Sequence, residues 1–442
     1  MRQILPPVSA VQNICGVQPY RPERSYRPTA YCVTTSCPEG TLLYHTLTGE
    51  LLLLEGQERP EEHVAALAAA RFCVPAEQDE AKYLADVRRI AALLQPAGAV
   101  TSFTILTTTA CNARCAYCYE SGFTPLTMSA ATAAETAAYI ARVSGGAKVR
   151  LRWFGGEPLC NRAAITAICR ELTDRSISFT SQMTSNGFLL DAQTLGEAVS
   201  LWKLQQVQIT LDGTEERYNR IKSYVQGGAS PYRRVMEHID MALRSGVHVR
   251  LRLNMDRNNA DDLAQLLEEL GARFAGREGL GVYPALLNNT TGCVAEFASE
   301  EQALERLEAL RRRAAALGFA RVRPLRRELR LQQCMADHDG SVVVLPDGRL
   351  LRCEHIDEGQ VYGSIRDGVT DPARLAAWKE TVRQSECDGC ALDPLCRRLK
   401  NCPFSRTACT AQAREAWKEE LRRQIRQAYL TWRETGKGEV RP

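Results

Sequence analysis

Three cysteines stand close together in the stretch TTTACNARCAYCYESG, from Thr107 to Gly122. They are Cys111, Cys115 and Cys118, separated by three residues and then by two. A structural zinc site needs four ligands in a closed tetrahedron. A cubane iron–sulfur cluster has four irons and normally takes four cysteines. Three thiolates would leave one corner of such a cluster open, and an open corner is where a small molecule can bind and react. The chain holds 17 cysteines, an odd number, with five of them between 387 and 409. Disulfides are not expected in a chain of cytosolic character, so metal binding is the leading use of these thiols.

Other residues with chemical potential recur at regular intervals. WFGGEPL (153–159) places two glycines before an acid, Gly155, Gly156 and Glu157. MTSNG (183–187) offers Ser185 and Asn186, ITLDGT (209–214) offers Asp212, and RLNMD (252–256) offers Asn254. Each of these segments ends an apolar, β-branched run. Strands are expected at 102–108, 149–154, 178–184, 206–211, 247–254 and 279–286. Helices are expected near 129–143, 161–173, 191–202, 231–245 and 260–273. Six strand–helix units with apolar strands predict an α/β fold with a parallel sheet, a partial (β/α)6 barrel. In such folds the active site lies at the C-terminal ends of the strands. The cysteine triplet follows the first strand and shares that face with the other four segments.

Three segments are expected along the chain. Residues 1–100 read as a small module of a few strands and two helices, in the manner of a winged helix. Residues 101–320 carry the β/α units and a further helix at 300–317. Residues 321–442 are short strands, turns and cysteines, closed by a helix over 411–433. Trp417, Leu421, Ile425, Tyr429 and Trp432 recur there at helical spacing and predict one apolar face. Cys160 and Cys169 flank a helix and read as core. The 442 residues, 45% hydrophobic and 24% charged, describe a soluble globular chain, and a net charge of +4 makes no case for nucleic acid or a membrane surface. No apolar run approaches the roughly 20 residues of a membrane span. The N-terminus lacks the pattern of a signal peptide, so a cytoplasmic protein is expected.

The Cys-x3-Cys-x2-Cys spacing after a strand resembles the radical S-adenosylmethionine (radical SAM) superfamily. The resemblance implies that Cys111, Cys115 and Cys118 hold a [4Fe-4S] cluster whose open iron binds the amino and carboxylate groups of S-adenosyl-L-methionine. An electron from the cluster then splits the sulfonium and gives a 5′-deoxyadenosyl radical, which takes a hydrogen atom from a substrate. The cofactor carries that chemistry and the protein positions it. By the same resemblance Tyr117 packs against the adenine, Gly155 and Gly156 let backbone approach the ligand, and Glu157 accepts from the methionyl ammonium. Ser185 and Asn186 lie near the ribose or methionyl part, and Asp212 and Asn254 are further candidates on the active face.

Seven cysteines from Cys334 to Cys409, with Gly348 between Cys334 and Cys353, resemble the SPASM domain, which holds two auxiliary [4Fe-4S] clusters. The resemblance assigns Cys387, Cys390, Cys396 and Cys409 to one cluster and Cys334, Cys353 and Cys402 to the other. Three clusters are expected in all. Two departures stand out. Five residues separate Cys396 from Cys402 where the family commonly has three, and Glu328 stands where some relatives have another cysteine. The second cluster's fourth corner is left to Cys293, His338, His355 or a substrate thiol. Glu354 follows Cys353, where sulfatase-maturing relatives have an aspartate that acts as base, and is the candidate catalytic residue.

The family implies a peptide maturase. Its partners would be a precursor peptide, whose leader adds a strand to the N-terminal module, and an electron donor such as flavodoxin or ferredoxin. The expected product is a thioether or a carbon–carbon crosslink. The alternatives are a sulfatase-maturing type making formylglycine and, outside enzymes, a zinc-rich peptide-binding protein.

Overall fold

The computed structural model describes residues 1–435, apart from 17–18, 96–97, 123, 227, 288–293, 320–324, 356 and 404–408. The chain opens with β1 (Arg2–Leu5), α1 (Ser9–Cys15) and β2 (Tyr26–Pro28). Then come β3 (Cys32–Cys37), β4 (Gly40–His45) and β5 (Leu51–Glu55). α2 (Val64–Ala69), β6 (Cys73–Pro75) and α3 (Glu80–Leu93) follow. β1, β5, β4 and β3 lie side by side in that order, all antiparallel, and β2 pairs with β6. The hairpins and the two later helices match the expected elements. β1, α1 and the β2–β6 pair carry too few patterned residues to stand out in the sequence.

The next stretch alternates regularly. β7 (Ser102–Thr108), α4 (Ala130–Ser144), β8 (Val149–Gly155) and α5 (Arg162–Asp174) lead to β9 (Phe179–Ser185) and α6 (Ala192–Ser200). β10 (Leu204–Leu211), α7 (Glu215–Lys222), α8 (Pro231–Arg244) and β11 (His248–Met255) follow, then α9 (Ala260–Phe274), β12 (Leu280–Leu286) and α10 (Glu300–Ala316). β7 to β12 are parallel neighbours in sequence order. Strands covered on both faces lose the alternation of half-buried ones, which is why SFTILTT reads as a continuous run. The core beneath them includes Trp153, Trp202, Leu251 and Leu253, all fully buried.

Two features go beyond the expected units. α7 was not anticipated, although Glu215 and Glu216 in its first turn and Lys222 in its last complement the helix dipole. The sheet also continues past β7. β13 (Ser341–Val344) runs parallel to β7, and β14 (Arg349–Leu351), β15 (Gly363–Ser364) and β16 (Gly368–Val369) add antiparallel strands. The result is a mixed sheet of ten strands among the described residues. α11 (Pro372–Ala377) and α12 (Ala411–Thr435) complete the chain.

The chain forms two compact units, each built from several stretches. One comprises Met1–Ala97, Val322–Cys334 and Lys379–Pro442, and the other Gly98–Arg321 and Met335–Trp378. They cut the chain differently from the three expected segments, because the tail divides. Its strands extend the large sheet, while its later cysteines and α12 share a core with the N-terminal strands, including Ile4, Leu42, Leu53, Leu392 and Ile425. Leu421, Ile425 and Tyr429 face that core as expected. Trp417 does not. It is 53% exposed, one turn before the buried face begins. Cys169 is core, whereas Cys160 is exposed at the turn before α5. Among the described residues no helix is long and apolar enough to cross a membrane.

Leu253 tests the weight of the parallel sheet. Leu253→Ala should cost about 2–5 kcal/mol, read as a lower denaturation midpoint of the metal-free protein.

Candidate active site

The cysteine loop leaves the end of β7 and is tied at both flanks. Ala110 N donates to Thr108 Oγ1 (3.0 Å), and Leu126 N donates to Thr109 Oγ1 (2.8 Å). Arg114 N donates to Lys222 O and Val225 N to Asn112 O, both at 2.9 Å. Cys118 N closes a turn on Cys115 O (3.0 Å). Two donors face the Cys111 sulfur, Ala113 N at 3.4 Å and Asn186 Nδ2 at 3.9 Å. Burial pushes the Cys111 thiol up to about 12 and raises that of Cys118. A thiolate is therefore unfavourable here without a cation beside it, and metal binding supplies that cation as it releases the protons. Three thiols on one loop with N–H donors aimed at sulfur fit the ligand set of an iron–sulfur cluster. No group of three or more His, Cys, Asp or Glu among the described residues is gathered to hold a single metal ion.

β8 ends against this loop. Gly156 N donates to Thr108 O (3.1 Å) and Glu157 N to Ala110 O (3.0 Å). The approach is too close for side chains. A Cβ on Gly155, whose φ is +120°, would lie 2.2 Å from Thr108 O, and one on Gly156 would lie 2.5 Å from both Thr109 O and Ala110 O. Glu157 is fully buried. One carboxylate oxygen accepts from Ser185 Oγ (2.9 Å) and Leu159 N (3.1 Å), and the other accepts from Asn186 N (2.8 Å). Burial lifts this carboxyl to about 7, against the pull of those hydrogen bonds. Asn186 in turn donates to Asn112 Oδ1 (2.7 Å). Glu157, Ser185 and Asn186 thus form one buttress behind the cysteine loop.

Tyr117, Asp212 and Asn254 also meet, through a residue the sequence reading missed. Tyr117 Oη donates to the Asp212 carboxylate, 2.9 Å from each oxygen. Lys222 Nζ lies 3.0 Å from Tyr117 Oη and 3.0 Å from Asp212 Oδ2. Asn254 Nδ2 donates to Asp212 Oδ1 (3.1 Å) and its own oxygen accepts from Arg252 Nε (2.8 Å). Asp212 and Lys222 are both buried. Burial, the largest single influence, would lower the Lys222 ammonium, but the Asp212 carboxylate together with Cys115, Tyr117 and Tyr218 outweighs it and holds the pKa well above the ordinary value. Burial, and then Asp212, raise Tyr117 well above the usual phenol. The lysine is charged and the phenol neutral, so every donor has an acceptor. Lys222 escaped notice because it sits at the end of α7. Recognising that helix from its terminal charges would have brought Lys222 to this face.

Glu354 follows β14. Its carboxylate lies 3.4 Å from Arg152 of β8, and its carbonyl accepts from Tyr119 Oη at 3.2 Å. The Tyr119 ring is 4.4 Å from the His355 ring. Glu120, also missed, is buried beside them. Tyr119 Oη donates to its Oε1 (3.0 Å), and its Oε2 has no hydrogen-bond partner among the described residues. Burial pushes its carboxyl up to about 7. No spacing rule marks this acid; only its place two residues after Cys118 does.

Cys387, Cys390, Cys396 and Cys409 all belong to the unit that contains the N-terminus. Burial first, then Asp393, then the charges of Cys409, Cys387 and Cys390 raise the Cys396 thiol to about 11. Gln384 N faces the Cys387 sulfur at 3.4 Å, and Gln384 Oε1 accepts from Cys409 N at 3.3 Å. Three thiols that each act on Cys396 give, with it, the four-cysteine set that a fully ligated cluster takes. Cys334 and Cys402 belong to this same unit and Cys353 to the other. Of the candidates for a further ligand, His338 uses Nδ1 to accept from Gly340 N (3.0 Å), and Cys293 lies outside the described residues.

Two substitutions probe this geometry. Gly156→Ala should force the loop away and lower iron by about four per chain. Gly196→Ala in α6, where a Cβ meets nothing within 4 Å, should leave iron unchanged. Lys222→Met leaves the Asp212 carboxylate buried without its cation and should cost about 3–5 kcal/mol. Adding Asp212→Asn should recover part of that loss in denaturation measurements.

Residues 105–270 match the Radical SAM superfamily. Among solved structures the chain is similar to anSMEcpe with bound AdoMet, with a TM-score of 0.55 and 16% identity over 74% of this chain and 97% of that one. It is similar to anSMEcpe with bound AdoMet and Cp18Cys peptide, with a TM-score of 0.55 and 13% identity over 76% of this chain and 100% of the other. It is also similar to Streptococcus suis SuiB, with a TM-score of 0.51 and 12% identity over 84% and 94% of the two chains. No curated protein matches it. These low identities speak to fold. The likeness to the Radical SAM superfamily rests on residues 105–270, whose strands present the cysteine triplet and the glycine turn.

Proposed function

We propose that this chain is a radical SAM peptide maturase that installs a thioether or a carbon–carbon crosslink in a ribosomally made precursor. The observation that carries the reading is the stitching of the Cys111–Cys118 loop to Gly155, Gly156 and Glu157 by backbone hydrogen bonds with no room for a side chain. Cys111, Cys115 and Cys118 would hold the reactive [4Fe-4S] cluster. Bound there, S-adenosyl-L-methionine supplies a strong hydrogen-abstracting radical after one-electron reduction by a flavodoxin or ferredoxin.

The chain's own residues fix where that chemistry acts. Lys222, Asp212 and Asn254 hold Tyr117 in one orientation beside the cysteines. Glu157 holds Ser185 and Asn186 at the strand ends. Gly155 and Gly156 let the cysteine loop close directly onto the end of β8. Glu354 is proposed as the base, and Arg152 keeps its carboxylate at the strand ends. Cys387, Cys390, Cys396 and Cys409 would hold one auxiliary cluster. Cys334, Cys353 and Cys402 are assigned to a second by the resemblance to the SPASM domain alone. The peptide substrate is supported by the SPASM-like cysteine pattern and by the peptide bound to anSMEcpe in a structure of similar fold. A leader strand would add to an edge of the β1-β5-β4-β3 sheet, its backbone supplying the bonds.

The test is anaerobic purification, followed by iron and sulfide analysis and incubation of the reduced protein with S-adenosylmethionine. About 11–12 irons per chain and release of 5′-deoxyadenosine are expected, with about four irons and all release lost in Cys115→Ala. Glu354→Gln should still release 5′-deoxyadenosine with peptide present but form little crosslink. Zinc in place of iron, without cleavage, would overturn the reading in favour of a metal-stapled binding protein. Formylglycine in a sulfatase-derived peptide would redirect it to that chemistry.

A further inference from the structure

The turn between Cys390 and Cys396 is held from distant parts of the chain. Thr46 Oγ1 donates to Ala391 O (2.6 Å), and Arg330 N donates to Pro394 O (2.9 Å). The strongest grip comes from Arg88 on α3, 305 residues from Asp393. One guanidinium nitrogen donates to Asp393 Oδ1 at 3.0 Å. The other donates to Asp393 O and, at 3.0 Å, to Cys396 O. The other oxygen of Asp393 accepts from Arg383 Nη1 (2.9 Å), whose second nitrogen reaches Asp388 Oδ1 (3.0 Å). The Asp393 side chain is only 7% exposed, Arg88 18% and Arg383 43%. Arg383 is shared between Asp393 and the exposed Asp388, whereas the Arg88 guanidinium is largely buried and reaches the backbone of Cys396 itself. The Nε–H of Arg88 is also buried and has no acceptor among the described residues. A buried charged donor without an acceptor is costly, so this one is suited to an anionic neighbour absent from the protein itself.

We propose that Arg88, supported by Arg383 through Asp393, is the positioning residue of the Cys387–Cys390–Cys396–Cys409 centre and sets its reduction potential. The inference rests on the reading of those four cysteines as ligands of an iron–sulfur cluster. A nearby positive charge favours the more negative, reduced form of a cluster and raises its potential. Arg88 therefore lends the N-terminal stretch an electrostatic hold on the centre.

The experiment is an EPR-monitored redox titration of the full-length, cluster-loaded protein. The signal of this centre is identified as the one lost in Cys387→Ala. If the wild-type protein binds no iron that Cys387→Ala removes, both the parent reading and the inference fail. With the signal present, Arg88→Gln should keep it and move its midpoint to a more negative potential, while Arg88→Lys stays near wild type. A wild-type midpoint in Arg88→Gln overturns the inference and leaves the cluster reading intact. So does an Arg88→Lys midpoint as low as that of the glutamine variant. If Arg88→Gln does not fold, Arg383→Gln takes its place at the more exposed side of Asp393. A smaller shift in the same direction is then expected, and no shift overturns the inference.

Discussion

The contact between the end of β8 and the first residues of the cysteine loop is the constraint on which the site depends. Two backbone hydrogen bonds join them, and two glycines make the approach possible. Everything else on that face is arranged around the seam. Glu157 begins at it and carries the position of the loop across to Ser185 and Asn186 on the next strand. Because the ties are main-chain to main-chain, they fix the cysteines to the sheet without engaging a side chain that a ligand would need. The rigid parallel core beneath supplies the platform, and the loop takes its geometry from it.

A second principle governs the polar residues behind the cysteines. Asp212 and Lys222 are taken out of water together, and an unpaired charge there would be costly. The pair is complete only because Tyr117 and Asn254 fill the remaining hydrogen-bonding positions. A network with every member satisfied is rigid. It joins the cysteine loop, the end of β10, the end of β11 and the last turn of α7 into one piece. Asp212 and Asn254 are thus best understood through Tyr117, whose place between Cys115 and Cys118 they secure.

Much of this was legible in the residues. The six parallel strands and their order follow from apolar runs alternating with helical periods, with boundaries shifted by one or two positions. The strand-end segments were found because they follow those runs. What was not legible depended on distance. Lys222 belongs to a two-turn helix with too few apolar residues to show a period. β13 joins the sheet beside β7 although more than two hundred residues separate them, and no local pattern encodes that pairing. Arg88 looks like an ordinary helix-surface residue until the fold brings Asp393 to it. Trp417 erred the other way. Its spacing fits the apolar face of α12, but among the described residues that turn is left half exposed.

The shared core of the N-terminal strands and α12 has a consequence for synthesis. Ile4, Leu42 and Leu53 emerge from the ribosome well before their partners Leu392 and Ile425. At about 5–20 residues per second, the roughly 340 residues from Leu53 to Leu392 take about 17–68 s to make. During that time the large sheet can form on its own while the first strands wait with an apolar face uncovered. The nascent chain must keep an exposed hydrophobic surface for longer than a locally closed domain would.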